Sequence, residues 1–467
     1  MIKIAAKILL GIFASAAAAA PRWDFLARLD PAAERLVLRG CADQAIDNLR
    51  LRAGDDAAAY LKVMMRADGV ELEAVDGTVR ARNFSIGECF TAEVDLKSAG
   101  DADRWGLGRV PDLYYRIPPE RWFWRPWQID PESSIRFELP DGWSASVPWT
   151  PTGNRSYRLG ATPRDWPAQT AFGRFPEHTL ALPGGQLRVA LLPLVDATVQ
   201  ERMFDWFRSN SALLLSNDGR LPLRDTQVLI VPLPGMSSAV PWGQVSRGGA
   251  AAVTLFVGAA AGREGWQADW TLAHELAHLQ HPYLGDRGRW LAEGLGSYYQ
   301  NVWRARHGDF SATEGWRRLD AGFARGRADG PGPALELAGG RGSTMRVYWS
   351  GAAYWLESDL ALRAHGSSLD AVLAAFRDAH LPSARAWEPS EFIAALDQTQ
   401  PAAGLSARYR KYAALRDFPD LSDSYKTLGL NPDGLPDGDL PAHPLRDAIM
   451  RPPGAGSLTA NRDAVRR

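Results

Sequence analysis

Cysteine is almost absent: 467 residues carry only Cys41 and Cys89. That excludes a disulfide-stapled scaffold and a cysteine-built zinc module. Histidine is scarce as well, with eight in the chain, so any cluster of it stands out. Neither sign of charge dominates: 53 Lys and Arg face 54 Asp and Glu. Nothing therefore points to nucleic acid or an anionic membrane surface. The chain is too long for one core, so two or three domains are expected. Its composition, 46% hydrophobic and 23% charged, is that of an ordinary folded protein.

The first 20 residues read as a leader, not as fold. MIKIAAK places Lys3 and Lys7 before the apolar run ILLGIFASAAAAA, and Pro21 follows. A positive start, a short apolar middle and an Ala-x-Ala exit are the layout of a signal peptide, cleaved near Ala18 to Ala20. The run is too short and too Ala-rich for a membrane span, and no stable span is expected after cleavage. Losing the two lysines takes the net charge from −1 to about −3. Export to the periplasm or the medium also decides how the cysteines read. In an oxidising compartment Cys41 and Cys89 form one structural disulfide.

From 21 to 190 the pattern is β-rich. ERLVLRG, VELEAVDGTVRARNF, SIRFELPDGWSASVPW and QLRVALLPLV alternate apolar and polar residues between Gly, Pro and Asp turns. This predicts an antiparallel, β-sandwich-like domain, with YYRIPPERWFWRPWQID as an irregular packed connector. From 191 to 310 the period changes to a helix, two buried strands (DTQVLIVPLPG and AAAVTLFVGAA), and two more helices. Residues 311–430 read as a helical domain. Residues 431–467, rich in Pro, Gly and Asp, read as an extended or disordered tail.

One of the two helices before Gly308 carries TLAHELAHLQH, residues 271–281. His274 and His278, four apart, stack on one helix face and can take two corners of a tetrahedral Zn²⁺. Glu275, beside the first of them, can reach a water at the open corner. Asp269 is placed to cap the helix and Pro282 to stop it. The third ligand has three candidates: His281, Asp286 and Glu293. Glu293 has the best geometry, because it lies one turn into the next helix and faces the histidines across a short hairpin.

HELAH followed by WLAEGLGSYY, and then by YWSGAAYWLESDLALR at 348–363, resembles the gluzincin metallopeptidases. Within them the chain is similar to the glycyl aminopeptidase and aminopeptidase N-like group. The resemblance implies a multidomain α+β protein: the β domain, a thermolysin-like zincin catalytic domain and a C-terminal helical region. It implies that His274, His278 and Glu293 bind zinc and that Glu275 is general base and proton shuttle. It further implies that Tyr348 donates to the oxyanion, a role for which Tyr354 is the competitor.

Three departures accompany the resemblance. Only 14 residues lie between His278 and Glu293, fewer than is usual in the group, which implies a trimmed loop. The preceding strand, within PWGQVSRGGAAAVTLFVG, lacks the Glu that grips a free amino terminus in those aminopeptidases. The PDZ domain often found in the glycyl group is not expected in the short tail. Ser297 also stands where the thermolysin family has an Asp behind its ligands. As an edge strand, GQVSRGG can take an extended peptide, with Gly243 and Arg247 as substrate-binding residues.

The expectation is thus an exported zinc metallopeptidase acting on a peptide or protein substrate, as an exo- or endopeptidase. The alternatives are a silent zinc-containing binding scaffold and a zinc hydrolase of a non-peptide substrate.

Overall fold

The computed structural model describes residues 20–160, 168–247, 251–339, 344–431, 435 and 438–451. The predicted leader up to residue 19 lies outside them, as does the tail from residue 452. The protein is a mixed α+β, multidomain chain with a β-rich amino-terminal domain and a helical carboxy-terminal region. Among the described residues no helix is long and apolar enough to cross a membrane.

The amino-terminal domain is built on a seven-stranded sheet whose centre is Trp23–Asp30 and Arg35–Ala42. Alternate residues of these strands are buried, as the apolar–polar alternation predicts. Smaller sheets of three and four strands complete the domain. Asp76 and Gly77, both at positive φ, make the turn between Ala74–Val75 and Thr78–Phe84. One expectation needs correction, because Trp23–Asp30 pairs in parallel with Ser134–Glu138. A long intervening segment supplies the crossover that a parallel pair requires. YYRI is also a strand (Tyr114–Ile117), whereas the Trp-rich remainder of the connector is irregular and buries Trp122 and Trp124. Cys41 and Cys89 oppose each other on neighbouring strands and are joined by the expected disulfide.

The strands Glu177–Leu182 and Gly185–Leu191 belong to a second, five-stranded sheet, so the sheet boundary falls before 177 and not at 190. Gly185–Leu191, Asp225–Leu233 and Ala251–Gly258 run parallel at its centre. The last two are buried along almost their whole length, which is why they read as continuous apolar runs. Trp242–Ser246 is the antiparallel edge strand.

The expected boundary at 310 does not divide two cores. One hydrophobic cluster runs from Leu187 on this sheet through Trp290, Leu295 and Tyr354 to Met450. The helix Arg289–His307, ended by left-handed Gly308, packs along Thr344–Ala364, which is buried on nearly all sides. The tail also departs from expectation where it is described. Pro444–Met450 forms a helix, with Ile449 and Met450 buried and the Ile449 carbonyl accepting from Arg306 Nε at 2.9 Å. Two apolar side chains and a buried guanidinium outweigh the Pro- and Gly-rich composition there.

Candidate metal centre

Trp270, not the expected Asp269, holds the cap position of the first helix of the site; Asp269 lies one residue before it and accepts from the Thr271 amide at 2.7 Å. The helix is shorter than the sequence implied. It is α-helical over Thr271–Ala277 and tightens to a 3-10 turn over His278–Gln280. His281 is then extended, the conformation favoured before Pro282. The two ligand candidates still share a face, and both are almost fully buried.

Glu293 arrives from the following helix. Its Oε2 lies 3.1 Å from His274 Nε2 and 3.7 Å from His278 Nε2. One ligand atom from each of the three residues lies within 4.8 Å of the others, and no other such group occurs among the described residues. Two imidazole nitrogens and a carboxylate converging from two helices suit a tetrahedral ion with one open position. Of the other candidates, Asp286 sits in the Asp286–Gly288 turn outside this group, and His281 has a different task.

That task follows from hydrogen-bond direction. A Pro carbonyl can only accept, so His281 Nδ1 donates to Pro282 O at 2.7 Å. His281 Nε2 is then the acceptor for His278 Nδ1–H at 3.1 Å. This leaves the His278 Nε2 lone pair facing Glu293. His274 is set in the same sense, with Nδ1 donating to Gln300 Oε1 at 3.0 Å. Outer partners of this kind fix the tautomer of a metal-binding histidine. Burial holds both His278 and His281 well below the ordinary imidazole range, in the neutral form a metal needs. Burial lowers His274 too, but the hydrogen bond and charge of Glu293 outweigh it and raise that imidazole.

Gln300 is the partner that sequence reasoning missed. It lies two turns beyond Glu293 on the same helix face, where period 3.6 could have found it. A second missed residue is Gly296, where a Cβ would sit 2.7 Å from the His274 ring. Its missing side chain is the room in which that imidazole lies against the helix.

Glu275 lines the cleft but is not one of the converging ligands. Burial pushes its carboxyl up to about 7; the Glu293 charge adds to this, and His274 and Arg247 oppose it. For Glu293 itself burial also acts upward. The hydrogen bond and charge of His274, with a bond from Tyr348, outweigh it and hold the carboxyl down to about 2.

Tyr348 is in the site. Its ring stacks on His274 with centroids 5.9 Å apart, and its hydroxyl bonds Glu293. Burial and the Glu293 charge raise the phenol, so it stays a donor at neutral pH. Tyr354 points elsewhere: it is fully buried and donates to Leu405 O at 3.3 Å.

The edge strand forms the facing wall. The cleft, about 560 Å³, is lined by Gly243 and Arg247 on this side and by His274, Glu275, His278, Glu293 and Tyr348 on the other. Gly243 packs directly on Glu275, while Arg247 Nη1 donates a long bond of 3.4 Å to His278 O. Gly248 and Gly249 of GQVSRGG lie outside the described residues.

No family model and no curated protein sequence matches the chain. Solved structures do. An aminopeptidase N family protein from Idiomarina loihiensis superposes with a TM-score of 0.62 and 13% identity, over 87% of this chain and 78% of that one. An M1 zinc metallopeptidase from Deinococcus radiodurans gives 0.53 and 16%, over 86% and 95%. Native yeast LTA4 hydrolase gives 0.50 and 14%, over 88% and 70%. The chain is therefore built on the fold of the M1 zinc metallopeptidases, the aminopeptidase N-like gluzincins that HELAH and WLAEGLGSYY resemble.

Proposed function

We propose that this chain is an exported zinc-dependent metallopeptidase that hydrolyses peptide bonds in a thermolysin-like catalytic domain. The observation that carries the reading is the convergence of His274 Nε2, His278 Nε2 and Glu293 Oε2 between Glu275 and Tyr348. Zinc held by those three residues would supply Lewis-acid polarisation of the carbonyl and activation of a water. Glu275, which is not a ligand, takes the proton from the attacking water and hands it to the departing nitrogen. Tyr348 donates its hydroxyl proton in a hydrogen bond to the oxyanion, stabilising charge that exists only in the transition state. Neighbours lend support: the M1 enzyme from Deinococcus radiodurans has been solved, as a mutant, with a Tyr-Ser-Ala substrate. Export is supported by the Cys41–Cys89 bridge, which persists in an oxidising compartment such as the periplasm.

The test pairs zinc content with cleavage of a quenched peptide library, for the wild type and Glu275→Gln. The reading requires about one zinc in both proteins and cleavage by the wild type alone. Zinc in both with cleavage by neither favours a binding scaffold or a non-peptide substrate. Zinc in neither overturns it.

A further inference from the structure

The cleft has one wall that the chemistry above leaves unused. Trp242–Ser246 ends the five-stranded sheet, and among the described residues its outer edge is unpaired. Alternation puts Gly243, Val245 and Arg247 on one side of this strand. Two observations fix which side. A Cβ on Gly243 would lie 2.7 Å from the Glu275 carboxyl carbon, and Arg247 reaches the His278 carbonyl about one helical turn further on. Strand and helix therefore run side by side, with the catalytic carboxylate at one end and a guanidinium at the other.

That guanidinium is under-used. No carboxylate lies within ion-pair distance of Arg247 among the described residues, and its buried Nε has no hydrogen-bond partner. Its one bond is the long contact to a neutral carbonyl. The carboxylates of the cleft have other work: Asp269 accepts from the Thr271 amide, Glu293 belongs to the metal group, and the peptidase reading gives Glu275 to proton transfer. A largely desolvated guanidinium that feels Glu293 and Glu275 only across the cleft, with no ion pair in contact, is costly, and a planar carboxylate fits its fork.

We propose, on the basis of the peptidase reading, that substrate adds to Trp242–Ser246 as an antiparallel strand and that Arg247 holds a substrate carboxylate on the amino-terminal side of the cleaved bond. Along an antiparallel partner, moving from Gly243 to Arg247 moves backward through the peptide. Four residues span about 13 Å of strand, and the arginine side chain leans back toward the helix. The acidic side chain therefore stands about two to four residues before the cleaved bond. The same geometry places that bond inside a chain, so the activity is that of an endopeptidase for acidic sequences.

The experiment uses internally quenched peptides identical except for Glu, Gln or Lys at each of the four positions before the cleaved bond. Wild type, Arg247→Gln and Arg247→Glu are compared, with zinc content measured for each. The expected result is a preference for Glu over Gln of about 10- to 100-fold in kcat/KM at one position. Arg247→Gln abolishes it and Arg247→Glu turns it toward Lys, with zinc unchanged. Indifference of the wild type, a preference for Lys or a free amino terminus, or a preference for Glu that survives in Arg247→Gln overturns the proposal. If the wild type cleaves nothing, the peptidase reading fails, and binding is read by itself. Fluorescence anisotropy of the same peptides on Glu275→Gln, with and without Arg247→Gln, then decides. Arg247-dependent binding of the Glu peptides sustains the carboxylate subsite; its absence ends it.

Discussion

Gly294 and Gly351 meet backbone to backbone where the helix of the third ligand crosses the helix of Tyr348. A Cβ on Gly351 would lie 2.8 Å from Gly294 Cα and 3.0 Å from the Trp290 carbonyl carbon. This close approach lets Tyr348, one turn before Gly351, reach Glu293. Gly351→Ala should thus force the helices apart, costing about 1–3 kcal/mol. Denaturant midpoints with and without zinc would read it, and an unchanged midpoint would show that the crossing has slack.

Gly243→Ala addresses chemistry instead of stability. The added methyl meets the Glu275 carboxyl, so the base must move while the ligands stay. Expected is a fall in kcat of about 100-fold with zinc content intact. Steady-state kinetics beside metal analysis separates the two.

His281→Ala and Gln300→Ala each remove the acceptor that orients one imidazole. Zinc affinity should fall about 10- to 100-fold for either. Competition with a chromophoric chelator measures this, and near-native affinity in both would deny them an orienting role.

The Cys41–Cys89 bridge closes a loop with a sequence separation of 48. Chain entropy assigns about 4 kcal/mol to such a loop. Calorimetry of Cys41→Ser/Cys89→Ser should show an amino-terminal domain melting earlier, while zinc content holds. Simultaneous loss of zinc would show that the domains are coupled through the bridge.

Acid sensitivity has a local source at Asp309. Burial would raise its carboxyl, but the bond from His307 and the charges of His307 and Arg304 hold it below the ordinary value of 3.8. A depressed folded pKa contributes stability that is present above the unfolded value and is lost as pH falls through the folded one. Asp309→Asn should cost about 2 kcal/mol at neutral pH, with the gap to wild type closing below pH ~4. Urea titrations across pH 2–7 would show whether it closes.

The sequence made the grouping of His274, His278 and Glu293 legible and left its supports obscure. His274, Glu275, His278 and Glu293 were readable because helix period and hairpin reach are short-range rules. Tyr348 was readable only by resemblance, since nothing local separates it from Tyr354. Gln300 escaped, and His281 was read as a possible ligand and not as an acceptor, because tautomer control depends on which acceptor a ring meets in three dimensions. The strand hairpin at 177–191 and the helix Pro444–Met450 were misplaced for a related reason. Sheet membership and docking are decided by distant partners, not by local composition.

The relay behind His278 ends on the main-chain oxygen of residue 282, an atom that every amino acid carries. Substituting the side chain there cannot delete the terminal acceptor; only a change of backbone path can. The orientation of the second imidazole is in that sense stored in chain trajectory, where point mutation has little direct grip. The first imidazole, hung on the amide of Gln300, is one codon away from losing its anchor.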